Sequence, residues 1–292
     1  MASSTAQRQT WLITGASSGI GQSICKAALA AGHKVAGSTR DIAKARTANP
    51  DFEASGGIWV AVDPGHPDSE AVFASADKDL GGIDVLVNNA GYAYIGGVED
   101  MSDDIIRTQM EVNFYGPMRG VRAVLPGMRA RGRGDIVLIS SGAGFIARAS
   151  RGAYSASKWA VEAMHESLSR EVEGLGVKVL IVEPGAFMTP FGARSVIGGT
   201  LNEGYKGTAL DTMFTAASGW SSADLSAWCK GDPDKAAKAI LNAVASGHDG
   251  YLRLVLGPDC VRGLEEKLAE WNRDINATRE VSMSTNFDTP GA

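Results

Sequence analysis

The stretch "TWLITGASSGIGQSI", residues Thr10–Ile24, decides how the rest of the chain is read. Its first part, "TWLIT", is a short apolar run with the β-rich character of a buried strand. It passes at once into a turn with glycine at positions 15, 19 and 21, and from Gly19 an amphipathic helical pattern begins. Glycines here allow a tight turn and let backbone approach a bulky anionic group. The start of the following helix offers free N–H groups and the positive end of its dipole. A plain strand-to-helix turn would need less glycine, but a glycine-rich turn alone is weak testimony.

Working outward, similar apolar runs begin at Lys34 ("KVAGS"), Gly57 ("GIWVAV"), Ile83 ("IDVLVNN"), Asp135 ("DIVLIS"), Val177 ("VKVLIVEP") and Tyr251 ("YLRLVLG"). Most are apolar almost throughout, which suits strands covered on both faces. Helical patterns lie between them: Gly19–Ala31, Ser69–Leu80, Ser102–Met128, Tyr154–Glu173 and Pro233–Ser246. The last is well punctuated, with Asp232 as N-cap, Pro233 in the first turn and Gly247 beyond the end. Strand and helix alternate without repeats, so a single doubly wound α/β domain is expected over residues 9–275. Residues 187–231 break the rhythm as a Gly/Ser/Thr-rich insert carrying Met188, Phe191, Met213, Phe214, Trp220 and Trp228, the pattern of a lid or binding loop. A helical stretch spans Val261–Ile275. Residues 1–8 read as a flexible N-terminal tail and residues 276–292 as a C-terminal tail.

Composition narrows the function. A formal net charge of −5 gives no excess of Lys and Arg for nucleic acid or an anionic membrane, and neither partner is expected. Cys25, Cys229 and Cys260 are far apart and odd in number, so no disulfide framework or metal cluster is expected. With no secretory signal and no membrane-length apolar run, a cytoplasmic protein is expected.

"GAYSASKWAVEAMHESL", from Gly152, places Tyr154 and Lys158 four residues apart on a helix, where both project to one side. By themselves they could be a half-buried tyrosine beside a snorkelling lysine. Other motifs accompany them in order. "NNAG", Asn88–Gly91, ends the fourth strand; Asn113 lies in "VNFYG"; Ser141 follows the fifth strand, thirteen residues before Tyr154; "PGAFMT", Pro184–Thr189, follows the sixth. Together with "TGASSGIG" these motifs resemble the short-chain dehydrogenase/reductase superfamily over about Thr10–Gly257. The "VEPG" turn, the "LVLGPD" segment and the C-terminal helix are similar to its hydroxysteroid dehydrogenase-like branch.

The resemblance implies a Rossmann-like, doubly wound, mostly parallel seven-stranded sheet with helices on both faces. It also implies hydride transfer between a nicotinamide cofactor and a carbonyl or alcohol carbon. Tyr154 would be the general acid/base, and Lys158 would lower its pKa and bond the nicotinamide ribose. Ser141 would hydrogen-bond the substrate oxygen, and Asn113 would hold a water linking Lys158 to solvent. Ser141 could instead merely cap a strand end, and Asn113 could mark a helix irregularity near Pro117. The cofactor would meet Gly15, Ser17, Ser18, Gly19, Ile20 and Gly21 at the turn, and Asn89, Ala90 and Gly91 after the fourth strand. Tyr154, Lys158, Pro184, Gly185, Phe187 and Thr189 would meet it on the nicotinamide side. Asp63 is a candidate for the adenine side, although the family's usual residues after that acid are replaced here by "PGHPD".

The end of the second strand selects the dinucleotide. An acid there accepts from the ribose 2′-hydroxyl, whereas an arginine pairs with a 2′-phosphate. The resemblance puts the selecting acid at the strand's last position, which here holds Thr39; Arg40 follows, and Asp41 lies two places beyond. NADP(H) is therefore expected over NAD(H), with reduction the favoured direction. The aromatic and Met residues of the insert, with Phe145 and Ile146 beside Ser141, suggest a bulky, largely apolar substrate, but could equally be core. A homodimer or homotetramer is expected, since relatives pair through the helices carrying Asn113 and Tyr154. Two rival functions stay open: isomerisation or cyclisation of a reactive intermediate, and non-catalytic nucleotide sensing. His33, His66, His165 and His248 match no motif position and read as structural or surface residues.

Overall fold

The computed structural model describes residues 8–219 and 228–287. Trp220, the first seven residues of the expected N-terminal tail and the last five of the C-terminal one lie outside the described residues.

The strands β1 (Thr10–Ile13), β2 (Lys34–Thr39), β3 (Ile58–Ala61), β4 (Val85–Asn88), β6 (Gly134–Ile139), β7 (Val177–Pro184) and β9 (Arg253–Leu256) form one seven-stranded sheet in the order β3-β2-β1-β4-β6-β7-β9. All six pairings are parallel. Two-sided burial explains why the strand runs are so uniformly apolar. Trp11, Ile13, Val85, Val87, Val137 and Leu180 join the core cluster on one face of the sheet. Their chain neighbours Leu12, Leu86, Ile136 and Val179 belong to a second cluster on the opposite face. The first face is covered by α1 (Gly19–Ala30) and α9 (Pro233–Ser246), the second by α4 (Ser69–Leu80), α6 (Gly116–Arg131) and α7 (Gly152–Glu171). Two small helices, α2 (Ile42–Ala48) and α3 (Asp51–Ala54), connect β2 to β3.

Several boundaries differ from the sequence expectation. The single helix expected over Ser102–Met128 is α5 (Asp103–Met110), a π-helical segment Glu111–Tyr115, and then α6. The irregularity precedes Pro117, which sits just inside α6 with helix continuing on both sides, so its missing N–H removes one bond to the preceding turn. The insert is partly ordered by β8 (Val196–Ile197), which pairs in parallel with β5 (Tyr94–Ile95), and by α8 (Ala209–Ser218), capped by Thr208. The C-terminal tail expected from Asn276 is corrected in part, because α10 runs Pro258–Met283 as one helix. Residues 276–283 hold no proline and no glycine, so nothing stops helix propagation there.

Candidate active site

Between β1 and β4 the winding of the sheet reverses, and the crevice at the carboxyl ends of these strands is where this architecture binds ligands. The glycine turn lines it. Gly15 and Gly19 both have positive φ (63° and 59°), open to glycine without strain. A Cβ on Gly21 would fall 2.4 Å from the Asn89 amide nitrogen, and one on Gly15 would fall 2.9 Å from the Cα of Ala90. The turn is drawn against "NNAG" by Thr14, whose Oγ1 accepts from the backbone N–H groups of Asn89 and Ala90 at 2.9 Å each. Asn89 in turn donates to the carbonyls of Thr14 and Gly15. Ser18, the N-cap of α1, makes no capping bond, and the first turn of α1 holds no acid. The N–H groups at this helix start are thus left to an outside anion, which fits the pyrophosphate of a dinucleotide.

The strand-end residues divide their work. Asp41 caps α2, accepting from the Lys44 N–H at 3.0 Å, and pairs with the Lys44 ammonium at 3.4 Å. Arg40 is exposed, and no partner for its guanidinium occurs among the described residues. Asp63 is exposed and holds the Gly65 N–H at 3.1 Å, shaping the loop after β3.

At the other side of the crevice Tyr154 and Lys158 lie in the first turns of α7, both 4% exposed. Burial holds the Tyr154 phenol above its ordinary range, while the Ser141 hydroxyl and the Arg151 charge pull it back. Burial pushes Lys158 down to about 8, opposed by Glu162. The lysine Nζ donates to the Ile139 carbonyl at 2.8 Å, at the end of β6. Arg151, at the start of the same helix, adds a positive charge that favours ionisation of the phenol. A basic residue at a helix start, where the dipole disfavours it, was the available signal.

Ser141 opens the short 3₁₀ turn Gly142–Gly144, accepting from the Ala143 N–H at 3.2 Å. Asn113, in the π-helical segment, is tied on every side. Its Nδ2 donates to the Tyr92 carbonyl and to Ser157 Oγ, each at 3.0 Å, and its Oδ1 accepts from the Tyr92 N–H at 3.2 Å. Its side chain thus clamps the loop after β4 to α7.

Behind Lys158 lies a cluster that the sequence motifs did not single out. Glu162 and Glu183 are buried side by side, with Ser140 donating to Glu162 and the Arg253 Nε 3.1 Å from Glu183. Burial and the neighbouring Glu162 push Glu183 up to about 8.

The insert is only partly a pocket wall. Phe214 packs with Ala93, Ile95, Ala143 and Tyr154, and the Phe191 ring lies 5.8 Å from that of Tyr154. Phe145 is buried beside Ser141, Ile146 half-buried and Met213 partly covered. Met188 and Trp228, 53% and 78% exposed, face solvent instead. Pro184 is buried and Gly185 partly so, and a Cβ on Gly185 would collide with the Asp259 carboxylate. Thr189 leans on the glycine turn, 3.2 Å from where a Gly19 Cβ would stand. His165 is fully buried, its pKa pushed to about 4, which suits the structural role expected of it.

A doubly wound sheet with a glycine turn, a buried Tyr154 and Lys158 and a partly buried Ser141 at one crevice matches an oxidoreductase of the nicotinamide-dinucleotide class. Residues 9–196 match the family described as short chain dehydrogenase, and the chain belongs to the short-chain dehydrogenase/reductase superfamily, whose members act on CH–OH and C=O groups. Among relatives it is 42% identical over 214 residues to "Oxidoreductase claN" of Passalora fulva, covering 72% of this chain and 96% of that one. It is 34% identical over 209 residues to an "NADPH-dependent 3-dehydrocapnine reductase" of Ornithobacterium rhinotracheale, covering 70% and 73%. A solved short-chain dehydrogenase of Streptomyces avermitilis superposes with a TM-score of 0.84 at 36% identity, covering 96% of this chain and all of that one. Solved structures of this fold hold NADP in some cases and NAD in another.

Proposed function

We propose that the protein is an NADP(H)-dependent carbonyl reductase that reduces a ketone or aldehyde of a bulky, largely apolar substrate, or oxidises the matching secondary alcohol. The observation that carries this is the buried Tyr154 phenol, with the Ser141 hydroxyl within its influence, at the crevice that holds the glycine turn. When bound, the dinucleotide supplies or accepts the hydride. Tyr154 donates the proton to the substrate oxygen in reduction, and its raised pKa keeps it protonated at neutral pH. Ser141 donates a hydrogen bond to the same oxygen as negative charge develops there. Lys158, anchored on the Ile139 carbonyl and still largely protonated at neutral pH, has donors left for the ribose.

Three features support the finer assignments. Asp41 is committed to capping α2, whereas Arg40 is available to a 2′-phosphate, which favours NADP(H). Phe191 and Phe214 against Tyr154 favour an apolar substrate. Three free cysteines are consistent with a reducing compartment such as the cytoplasm, and among the described residues no helix is long and apolar enough to cross a membrane. Reduction is the favoured direction because cellular NADP pools are held reduced.

The decisive experiment is to follow NADPH consumption over a panel of aryl and polycyclic ketones beside short polar aldehydes, with wild type and Tyr154→Phe. Wild type is expected to consume NADPH with the large ketones. Tyr154→Phe is expected to be slower by about a hundredfold or more while still binding NADPH, because it lacks only the transferable proton. A variant retaining half the wild-type rate, or turnover confined to the short polar aldehydes, would contradict the proposal.

A further inference from the structure

Arg194 lies in the insert, far in sequence from the glycine turn, yet its Nη1 donates to Ser18 Oγ at 2.7 Å. It ends the short 3₁₀ turn Gly192–Arg194, and its backbone N–H bonds to the Pro190 and Phe191 carbonyls, which fixes the direction in which the side chain leaves the insert. The same few residues touch both ends of the crevice. Thr189 packs at Gly19, and Phe191 at Tyr154.

The partner chosen is chemically unexpected. The chain carries 33 acidic residues against 28 Lys and Arg, yet none of those acids within the described residues forms an ion pair with Arg194. A guanidinium has five N–H donors in a fixed fork, and here one of them rests on a neutral hydroxyl. The hydroxyl belongs to the N-cap of a helix whose first turn has no acid and whose cap makes no bond to its own backbone. A phosphate oxygen arriving there would exchange a neutral hydrogen bond for a charge-assisted one, with two donors able to engage two oxygens.

We propose that Arg194 is a ligand for the pyrophosphate of the bound dinucleotide, reaching over the glycine turn from the substrate-side insert. Arg40 serves the 2′-phosphate from the opposite side of the turn, so the two arginines divide the anionic groups between them. Because Arg194 is part of the insert, dinucleotide binding also fastens residues 189–195 over the crevice. The inference rests on the proposed dinucleotide dependence, and the test separates the two.

Binding of NADPH and of NADH is measured by titration calorimetry at low salt for wild type, Arg194→Ala, Arg194→Lys and Arg40→Ala, with hydrogen exchange of residues 189–195 followed with and without NADPH. Arg194→Ala is expected to weaken both dinucleotides about tenfold, with Arg194→Lys in between, since both carry the pyrophosphate. Arg40→Ala is expected to weaken NADPH alone. NADPH should slow exchange in residues 189–195 of wild type and much less in Arg194→Ala. The bond of Arg194 to Ser18 is at the surface, so the melting temperature of the free variant should match wild type. Both affinities remaining within twofold of wild type in Arg194→Ala would overturn the assignment. A loss confined to NADPH would overturn it too, by placing the guanidinium at the 2′-phosphate. Wild type binding neither dinucleotide would instead overturn the functional reading and the inference with it.

Discussion

The two acids behind Lys158 show how far single residues can depart from their ordinary chemistry. Glu183, at the end of β7, is fully buried against Glu162, and among the described residues Arg253 and Lys158 are the opposite charges near the pair. Ionising both would bring two carboxylates together out of water, so folding favours one shared proton. With its pKa raised to about 8 from 4.5, Glu183 binds a proton more tightly in the folded state. Its contribution to stability is therefore complete below about pH 4.5 and is lost as pH rises towards 8. Asp135, raised to about 6, has mostly titrated by pH 7, and the histidines are common to wild type and the Glu183→Gln variant. Between pH 7 and 8.5 the wild type should lose about 1 kcal/mol more stability than Glu183→Gln, which keeps the shape of the protonated acid. Lys158 acts mostly above pH 8 and with the opposite sign, and it is common to both proteins. Urea unfolding of the two across this range decides the matter, and parallel curves would mean that the pair holds no proton.

At the scale of elements, the π-helical segment Glu111–Tyr115 gives Asn113 its place. An added residue in a helical turn rotates the downstream part of the helix, and here it brings one amide to bear on both the loop after β4 and α7. Asn113→Ala would leave the Tyr92 N–H and carbonyl and the Ser157 hydroxyl without these partners. It should cost about 2 kcal/mol, seen as a lower thermal midpoint, and should slow turnover by loosening the helix that carries Tyr154 and Lys158. A variant as stable and as fast as wild type would show that the clamp is dispensable. This element also marks the limit of what the sequence discloses. Strands such as Val85–Asn88 and helices such as Pro233–Ser246 are legible because burial on two faces and capping at both ends leave local marks on residue type. The glycine turn is legible because backbone approach permits only one residue there. The π segment leaves only an indirect mark, the Pro117 that follows it, since "EVNFY" itself suits an ordinary helix. Likewise the i+4 spacing places Tyr154 and Lys158 on one side of α7. It does not reveal that Lys158 turns to the Ile139 carbonyl, because that choice depends on where β6 ends. Arg194 meeting Ser18, and Glu183 meeting Glu162, are contacts between distant segments that no local pattern encodes.

For the molecule as a whole, the unsettled feature is the outer surface of α7 and α10. Trp159 of α7 meets Trp271 of α10 edge to face with ring centroids 6.0 Å apart, and both rings remain more than a third exposed. Met164 lies exposed on the same helix as Trp159, and Leu268 and Ile275 flank Trp271 at spacings of three and four residues, which puts them on one stripe of α10. From Leu268 to Met283 every residue of α10 is exposed. A helix that buries so little over four turns beyond the Trp271 contact has little to hold it in water, since isolated helices of about 12–15 residues are marginal even with strong formers. An exposed apolar stripe of this kind marks a surface made to be covered. A second copy of the chain, presenting the same stripe, satisfies both demands in a self-complementary contact. The expected outcome is a homodimer or homotetramer by light scattering at micromolar concentration, with Leu268→Glu combined with Trp271→Glu shifting it to monomer. Those side chains lie outside the main core clusters, so the monomeric variant should keep its folded circular dichroism spectrum. A wild-type particle of 30.5 kDa would refute the assembly, and the stripe on α10 would then have to be covered by something other than this chain.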